Sequence, residues 1–304
     1  MSLFVVLGAG GAGAATATLL AEAGHEVRMI TRRGGGPAHP RIERVAADAA
    51  DTERLTRLAG NARTLINCAA PAYHRWKAEF PPLAHSALTA AASVGADYVL
   101  LGNLYAYGPV DRPMTEDLPS APSSVKGRIR AQIWQDALDA HRAGAVRVTE
   151  VRASDFIGRG AQSVFTLTAL PKVLAGKPAL VPADLDLPHS WTATGDAARA
   201  LVAVSQDEHS WGRAWHVPTT PPISVRQLAG RLAQLAGAPD PRLRAMPGWM
   251  LAAAGVFSPT IRELPEMQYQ FRRPFILDSS LTAKTFAMDP TPLDDVLREH
   301  LAAS

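Results

Sequence analysis

Apolar residues along this chain come alternately as short continuous runs and as longer stretches spaced three or four apart, the patterns of buried strands and amphipathic helices. Residues 3–7 (LFVVL) form one such run, as a strand buried on both faces requires. An alanine-rich helical stretch covers 11–23 and stops at Gly24. A second strand is predicted over 26–30, a third over 42–46, a helix over 52–58 and a fourth strand over 64–67. A long helix follows over 76–94, with Pro81 and Pro82 expected to break or bend its early turns. The fifth strand, 98–101, is wholly apolar, and a proline-rich loop of defined turns spans 102–123. A helix over 124–142 and a sixth strand over 145–151 complete this half. Strands and helices alternating at this spacing predict a parallel, doubly wound α/β sheet, whose ligands sit at the carboxyl ends of the strands.

Beyond Arg152 the periodicity loosens. The sequence predicts a loop over 155–160, a helix over 164–174 whose end Pro171 obscures, and short strands within 178–192. A helix over 196–204, a strand over 215–217 and a helix over 225–236 follow, the last with Leu228, Leu232 and Leu235 in helical register. Residues 246–304 read as mostly helical with proline punctuation, and there is no internal repeat.

With 304 residues, 47% of them hydrophobic, the chain can bury a large core. Its 31 basic and 28 acidic residues give a net charge of +3, and the arginines are scattered rather than blocked, which argues against a nucleic-acid surface. A single cysteine, Cys68, excludes an internal disulfide and fits a reducing cytoplasm. The apolar N-terminus lacks a basic leader and is explained better by its glycines, and the run at 249–257 is too short for a bilayer. The expectation is a soluble cytoplasmic protein with no membrane partner.

The glycine cluster after the first strand carries the chemistry. Gly8, Gly10 and Gly13 match G-x-G-x-x-G, and Gly8, Gly11 and Ala14 match the wider G-x-x-G-x-x-G/A pattern. Strand, glycine turn, helix and second strand together make a dinucleotide-binding unit, in which free N–H groups at the helix start hold a diphosphate. An acid at the end of the second strand would bind the ribose of NAD. Thr31, Arg32 and Arg33 stand there instead, which suits the 2′-phosphate of NADP and makes NAD the less favoured cofactor. The fold expected is thus a Rossmann-type domain, residues 1–156 with 189–218, and a smaller, mostly helical substrate-covering region, 157–188 with 219–304.

These motifs resemble the extended short-chain dehydrogenase/reductase superfamily, the group that includes the NAD-dependent epimerase/dehydratase proteins. The glycine turn, Asp48 past the third strand, Asn67-Cys68-Ala69-Ala70-Pro71 after the fourth and Tyr107-Gly108 after the fifth follow the family order. So do Arg152 to Gly158, His189-Ser190-Trp191, Asp196 to Ala200 and the tail from Leu281 to Leu301. The resemblance implies that Asp48 contacts adenine, that Ala69 and Ala70 pass under the cofactor and that Ser154 lies near the nicotinamide. It also implies a homodimer across the 76–94 and 124–142 helices, with Ile129, Ile133 and Trp134 as an apolar stripe equally able to pack on the chain's own sheet.

The family reaction uses a Ser/Thr and a Tyr-x-x-x-Lys pair. Lys126 fits the lysine, which would hold the ribose, but Pro122 fills the tyrosine's seat and Asn103 the serine's. Three solutions are open. Tyr105 or Tyr107 donates the proton while Asn103 orients the carbonyl; Ser123 or Ser124 donates beside Lys126; or the protein binds NADP without hydride transfer. Asp155 is a further pocket candidate, and Trp191, Trp249, Tyr269 and Phe271 are candidates to line an apolar pocket. His189, His209 and His216 read as surface or packing residues with no metal spacing, and Cys68 as an inert buried thiol. The function expected is an NADP-dependent carbonyl reductase or alcohol dehydrogenase acting on a small organic metabolite. A sugar-nucleotide epimerase or dehydratase comes second, and a redox-inactive NADP-binding regulator is the reading from another class.

Overall fold

The computed structural model describes residues 1–302. In chain order the first half holds β1 (Leu3–Leu7), α1 (Gly11–Glu22), β2 (Glu26–Thr31), β3 (Ile42–Ala46), α2 (Thr52–Ala59), β4 (Ala62–Asn67), α3 (Trp76–Val94), β5 (Asp97–Asn103), α4 (Val125–Arg142) and β6 (Val148–Ala153). The second half holds β7 (Asp155–Ile157), α5 (Leu170–Leu174), β8 (Ala179–Val181), β9 (Trp191–Ala193), α6 (Thr194–Gln206), β10 (Ala214–His216) and α7 (Val225–Ala236). It ends with β11 (Leu243–Ala245), α8 (Gly248–Phe257), α9 (Pro259–Arg262), α10 (Ser280–Phe286) and α11 (Leu293–Ala302).

Seven strands make one sheet in the order β10-β6-β5-β4-β1-β2-β3, every pair parallel. The direction of winding reverses between β1 and β4, which opens a crevice at their carboxyl ends. Successive residues of β1 feed opposite layers. Phe4 and Val6 join Ala17, Leu20, Leu201 and Trp215 under α1 and α6, while Val5 and Leu7 join Leu55, Phe80, Ala87 and Tyr98 under α2 and α3. A third apolar cluster, with Phe165, Val173, Trp191, Leu228, Leu232 and Val296, forms the smaller region.

Three predicted elements differ. The long helix runs unbroken through Pro81 and Pro82; both prolines are exposed, and so are Lys77 and Ala78, whose carbonyls lose their usual partners. The sixth strand starts at Val148 rather than 145, because the chain is still turning at Gly144 (φ 74°). The single helix expected over 164–174 is a π-turn, Phe165–Ala169, leading into α5, with Pro171 placed in the first turn of α5, where its missing N–H costs nothing. The smaller region also holds a strand the sequence does not predict, β11, which pairs with β8, while β7 and β9 pair in a second small parallel sheet. The final two residues of its expected range, 303–304, lie outside the described residues. Among the described residues no helix is long and apolar enough to cross a membrane.

Candidate functional site

The glycine turn sits at the carboxyl end of β1, and each of its glycines does something different. Gly8 has φ +89°, and a Cβ there would stand 2.9 Å from the Ala69 backbone. A Cβ on Gly13 would meet the Gly8 carbonyl at 2.1 Å, so this glycine lets α1 pack against the turn. A Cβ on Gly11 would meet the Arg159 carbonyl at 2.6 Å, whereas one on Gly10 would meet nothing within 4 Å. Gly10 also caps α1 with no side-chain acceptor, and the first turn carries no acid, so the first N–H groups of the helix face outward unclaimed by a side chain. Bare N–H groups at a positive helix end, behind a backbone that lets a ligand approach, fit a diphosphate.

A cavity of about 730 Å³ opens beside this turn. Gly8, Gly10, Thr31, Arg32, Asp48, Cys68, Ala69 and Ala70 all line it, joined by Ala49 and Leu83, neither of which the sequence marked. The structure thus gathers most of the expected cofactor residues around one space, of a size sufficient for a dinucleotide. Five expected residues, Gly11, Gly13, Arg33, Lys126 and Ser154, lie elsewhere. Gly13 is packed behind the turn, Gly11 faces a second cavity of about 800 Å³ shared with Arg159, Thr194 and Glu299, and Arg33 lines neither. Ser154 follows β6, buried, with its Oγ lacking a partner. Cys68 closes the floor of the first cavity, and burial pushes its thiol up to about 12.

Further along the carboxyl edge stands a polar cluster. Asn103 ends β5 and accepts a hydrogen bond from the Tyr105 backbone N–H at 3.1 Å, so it shapes the turn that presents Tyr105. Tyr105 faces Tyr73 and Gln270, and burial first, then the Asp155 charge, pushes its hydroxyl up to about 12. The Tyr73 hydroxyl is raised as well, by burial and then by Tyr105. Asp155 Oδ2 lies 2.9 Å from His189 Nε2, and the imidazole is stacked on Phe271 at 5.0 Å and Phe275 at 5.2 Å. Below, the Arg130 guanidinium lies over Trp76 and Phe80 and donates to the Leu101 carbonyl; burial draws its pKa down to about 10.

Lys126 starts α4 as its sequence position implies, but its ammonium is claimed. It donates to Glu263 Oε2 at 2.5 Å and Glu266 Oε1 at 2.7 Å, and it sits 4.4 Å from the Tyr73 ring centre. Ser124 caps α4 by accepting from the Gly127 N–H. Ser123 is not brought into the cluster; its carbonyl accepts from Arg128.

Tyr107 has a different environment from Tyr105. It is fully buried, with its hydroxyl 2.7 Å from His216 Nε2. The other ring nitrogen, Nδ1, lies 2.7 Å from the Asp278 carbonyl, which can only accept, so Nδ1 carries the proton and Tyr107 donates to Nε2. Arg152 covers the Tyr107 ring at 4.8 Å and pairs with the buried Glu150 at 2.6 Å. This geometry makes Tyr107 a core residue, held far from the role of proton donor. Burial lowers His216 to about 4, so it stays neutral. Trp249, expected to line a pocket, is 72% exposed on the surface of α8.

The residues that sequence reasoning missed are Tyr73, Arg130, Glu263, Glu266 and Gln270, and it read His189 as a surface or packing residue. Tyr73 follows the small-residue stretch after β4 by two positions, which was a usable signal. Glu263 and Glu266 lie some 140 residues from Lys126, with no local pattern to tie them to it.

A search of curated protein sequences found no match. Solved structures match over nearly the whole chain. MoeE5 in complex with UDP-glucuronic acid and NAD is 19% identical with a TM-score of 0.81, covering 100% of this chain and 98% of that one. UDP-glucose 4-epimerase from Thermotoga maritima, with UDP-glucose, is 17% identical with a TM-score of 0.79 at 100% and 98% coverage. dTDP-glucose 4,6-dehydratase from Bacillus anthracis, in complex with NAD, is 15% identical with a TM-score of 0.77 at 100% and 96% coverage. At these identities the likeness concerns the fold. The sequence model of the NAD dependent epimerase/dehydratase family matches residues 4–217, from β1 past β10. The chain therefore belongs to that family, whose members are extended short-chain dehydrogenase/reductase enzymes of oxidoreductase type.

Proposed function

We propose that this protein is a nicotinamide-dinucleotide oxidoreductase that interconverts a carbonyl and an alcohol on a small organic molecule. The observation that carries this reading is the uncapped start of α1 beside the 730 Å³ cavity. The diphosphate would be held by the N–H groups that follow Gly10, with adenine between Asp48 and Ala49 on one side and Leu83 on the other. Arg32 lines the adenosine end with no carboxylate at the carboxyl end of β2 to oppose it, which favours the 2′-phosphate of NADP. The dinucleotide named with MoeE5 and with the Bacillus anthracis dehydratase is NAD, so the choice between the two is the first thing to measure. Bound, the nicotinamide would accept or supply a hydride.

In the reducing direction Tyr105 gives its proton to the oxygen that gains charge. Its raised pKa keeps that proton in place at neutral pH, and Asn103 fixes the backbone that presents it. Asp155, oriented by His189, lies close enough for its charge to help hold the proton on Tyr105. Calorimetry with NADP and NAD, followed by loss of the reduced cofactor's absorbance against a panel of carbonyl compounds, tests the reading. Binding of neither dinucleotide would overturn it, and tight binding with no turnover would favour a redox-inactive regulator.

Sugar-nucleotide epimerisation or dehydration is the second reading, supported by end-to-end likeness to proteins described with UDP-sugars. Against it, Pro122 fills the tyrosine seat and Lys126 is tied to Glu263 and Glu266.

A further inference from the structure

Lys126 is 1% exposed and meets two carboxylates from a segment far away in sequence. Glu266 also reaches back with its second oxygen, which accepts the Val125 backbone N–H at 2.8 Å. Three contacts therefore fasten residues 263–266 to the start of α4. The far end of the same segment is fastened too. Gln268 Nε2 donates to the Pro182 carbonyl at 3.0 Å, the Phe271 carbonyl accepts from the Asp184 N–H at 2.9 Å, and the Phe271 ring stacks on His189.

Between these anchors lie Tyr269 and Gln270. Gln270 is 3% exposed, and its Oε1 has no partner; the Tyr269 Oη is likewise buried and unpartnered. Gln270 is turned to Tyr105, and Tyr269 lies within reach of the charges on Glu266 and Asp155 and beside Ser124. Buried polar atoms are normally paired, and two neighbouring exceptions in a segment held at both ends indicate atoms kept for something else.

We propose that Lys126 is a positioning residue, docking residues 263–271 over the carboxyl edge of the sheet, and that Tyr269 and Gln270 are the substrate-facing pair this docking delivers. The inference rests on the oxidoreductase reading for what the site does, not for how the segment is held. A free acceptor on Gln270 and a Tyr269 hydroxyl with only the Ser124 hydroxyl beside it ask for a ligand that brings a hydroxyl or amide N–H close to the carbonyl that Tyr105 serves.

Two measurements on the full chain test this without a known substrate. Hydrogen exchange in Lys126→Gln and Glu266→Gln should rise roughly tenfold or more across 263–271, with β4, β5 and β6 unchanged, and Lys126→Arg should restore protection. Unchanged exchange in both glutamine variants, or no rescue by arginine, overturns the docking role. Tyr269→Phe should melt at or above the wild-type temperature, because it removes a buried hydroxyl that no side chain in the fold needs. A clear fall in melting temperature for this variant would mean that the hydroxyl is used structurally and would overturn the substrate-facing role. Calorimetry with NADP and NAD on the same proteins separates the two readings. If wild type binds neither, the dinucleotide reading falls, while exchange and melting still decide the fate of this one.

Discussion

Gly10 and Gly13 are three residues apart and identical in type, yet their replacement should have opposite consequences. A methyl group at Gly10 meets nothing and the backbone there is not left-handed, so Gly10→Ala should melt like wild type. It should still lose at least about tenfold in dinucleotide affinity by calorimetry, since the methyl fills the space the diphosphate needs. Gly13→Ala, which drives a methyl into the Gly8 carbonyl, should lower the melting temperature as well. Tyr105→Phe should cost roughly a hundredfold or more in kcat with dinucleotide affinity unchanged, the signature of a lost proton donor rather than a lost binding contact. His216 supplies a pH test of the core. Its pKa is lowered to about 4 in the fold, from 6.5, so the neutral form stabilises the protein fully above pH 6.5. As pH falls from there toward 4 the unfolded chain takes up a proton that the folded one refuses, which removes on the order of 3 kcal/mol. Urea unfolding across that range should show the decline, and His216→Gln should flatten it. The sequence made the glycines readable because a sharp turn restricts which residues can occupy it. It did not separate Tyr105 from Tyr107, because only the partner, His216 or Tyr73, tells them apart.

Where a helix is set by local chemistry, the sequence shows its ends. α7 starts with Ser224 and Gln227 in a reciprocal capping box and stops at Gly237 in the left-handed region, and the predicted bounds hold to the residue. Ser224→Ala should therefore cost about 1 kcal/mol in urea unfolding and leave dinucleotide binding untouched. The elements that were misjudged are those where the setting outweighs the local signal. α3 keeps its course through two prolines because it is anchored by Trp76, Phe80, Ala84 and Ala87 on its buried side, while the prolines sit on the exposed side. The π-turn before α5 packs Phe165 against Trp191 and into the third apolar cluster, a demand that periodicity along 164–174 does not announce. The Lys126 clasp is the extreme case. α4 was predicted well, but the role of its lysine is decided by carboxylates from another part of the chain.

At the level of the molecule, the parallel sheet puts the cavity beside the glycine turn and the tyrosine cluster on one edge. Arg32 lines the cavity and Arg33 does not, so Arg32→Ala alone should shrink the ratio of NADP to NAD affinity by roughly tenfold or more, with Arg33→Ala close to neutral. Equal ratios in both variants would mean that the adenosine end is selected by other groups. The α/β frame was legible because burial on both faces writes itself into strands as apolar runs. β11, in the smaller region, was not, because it carries only three residues. The solitary thiol has one practical use. With Cys68 pushed up to about 12, only roughly one molecule in 10⁵ would present a thiolate at neutral pH, so maleimide reagents should pass it by. A fluorophore attached through Trp249→Cys would then report on α8 from the outside, with no need to rebuild the native background first.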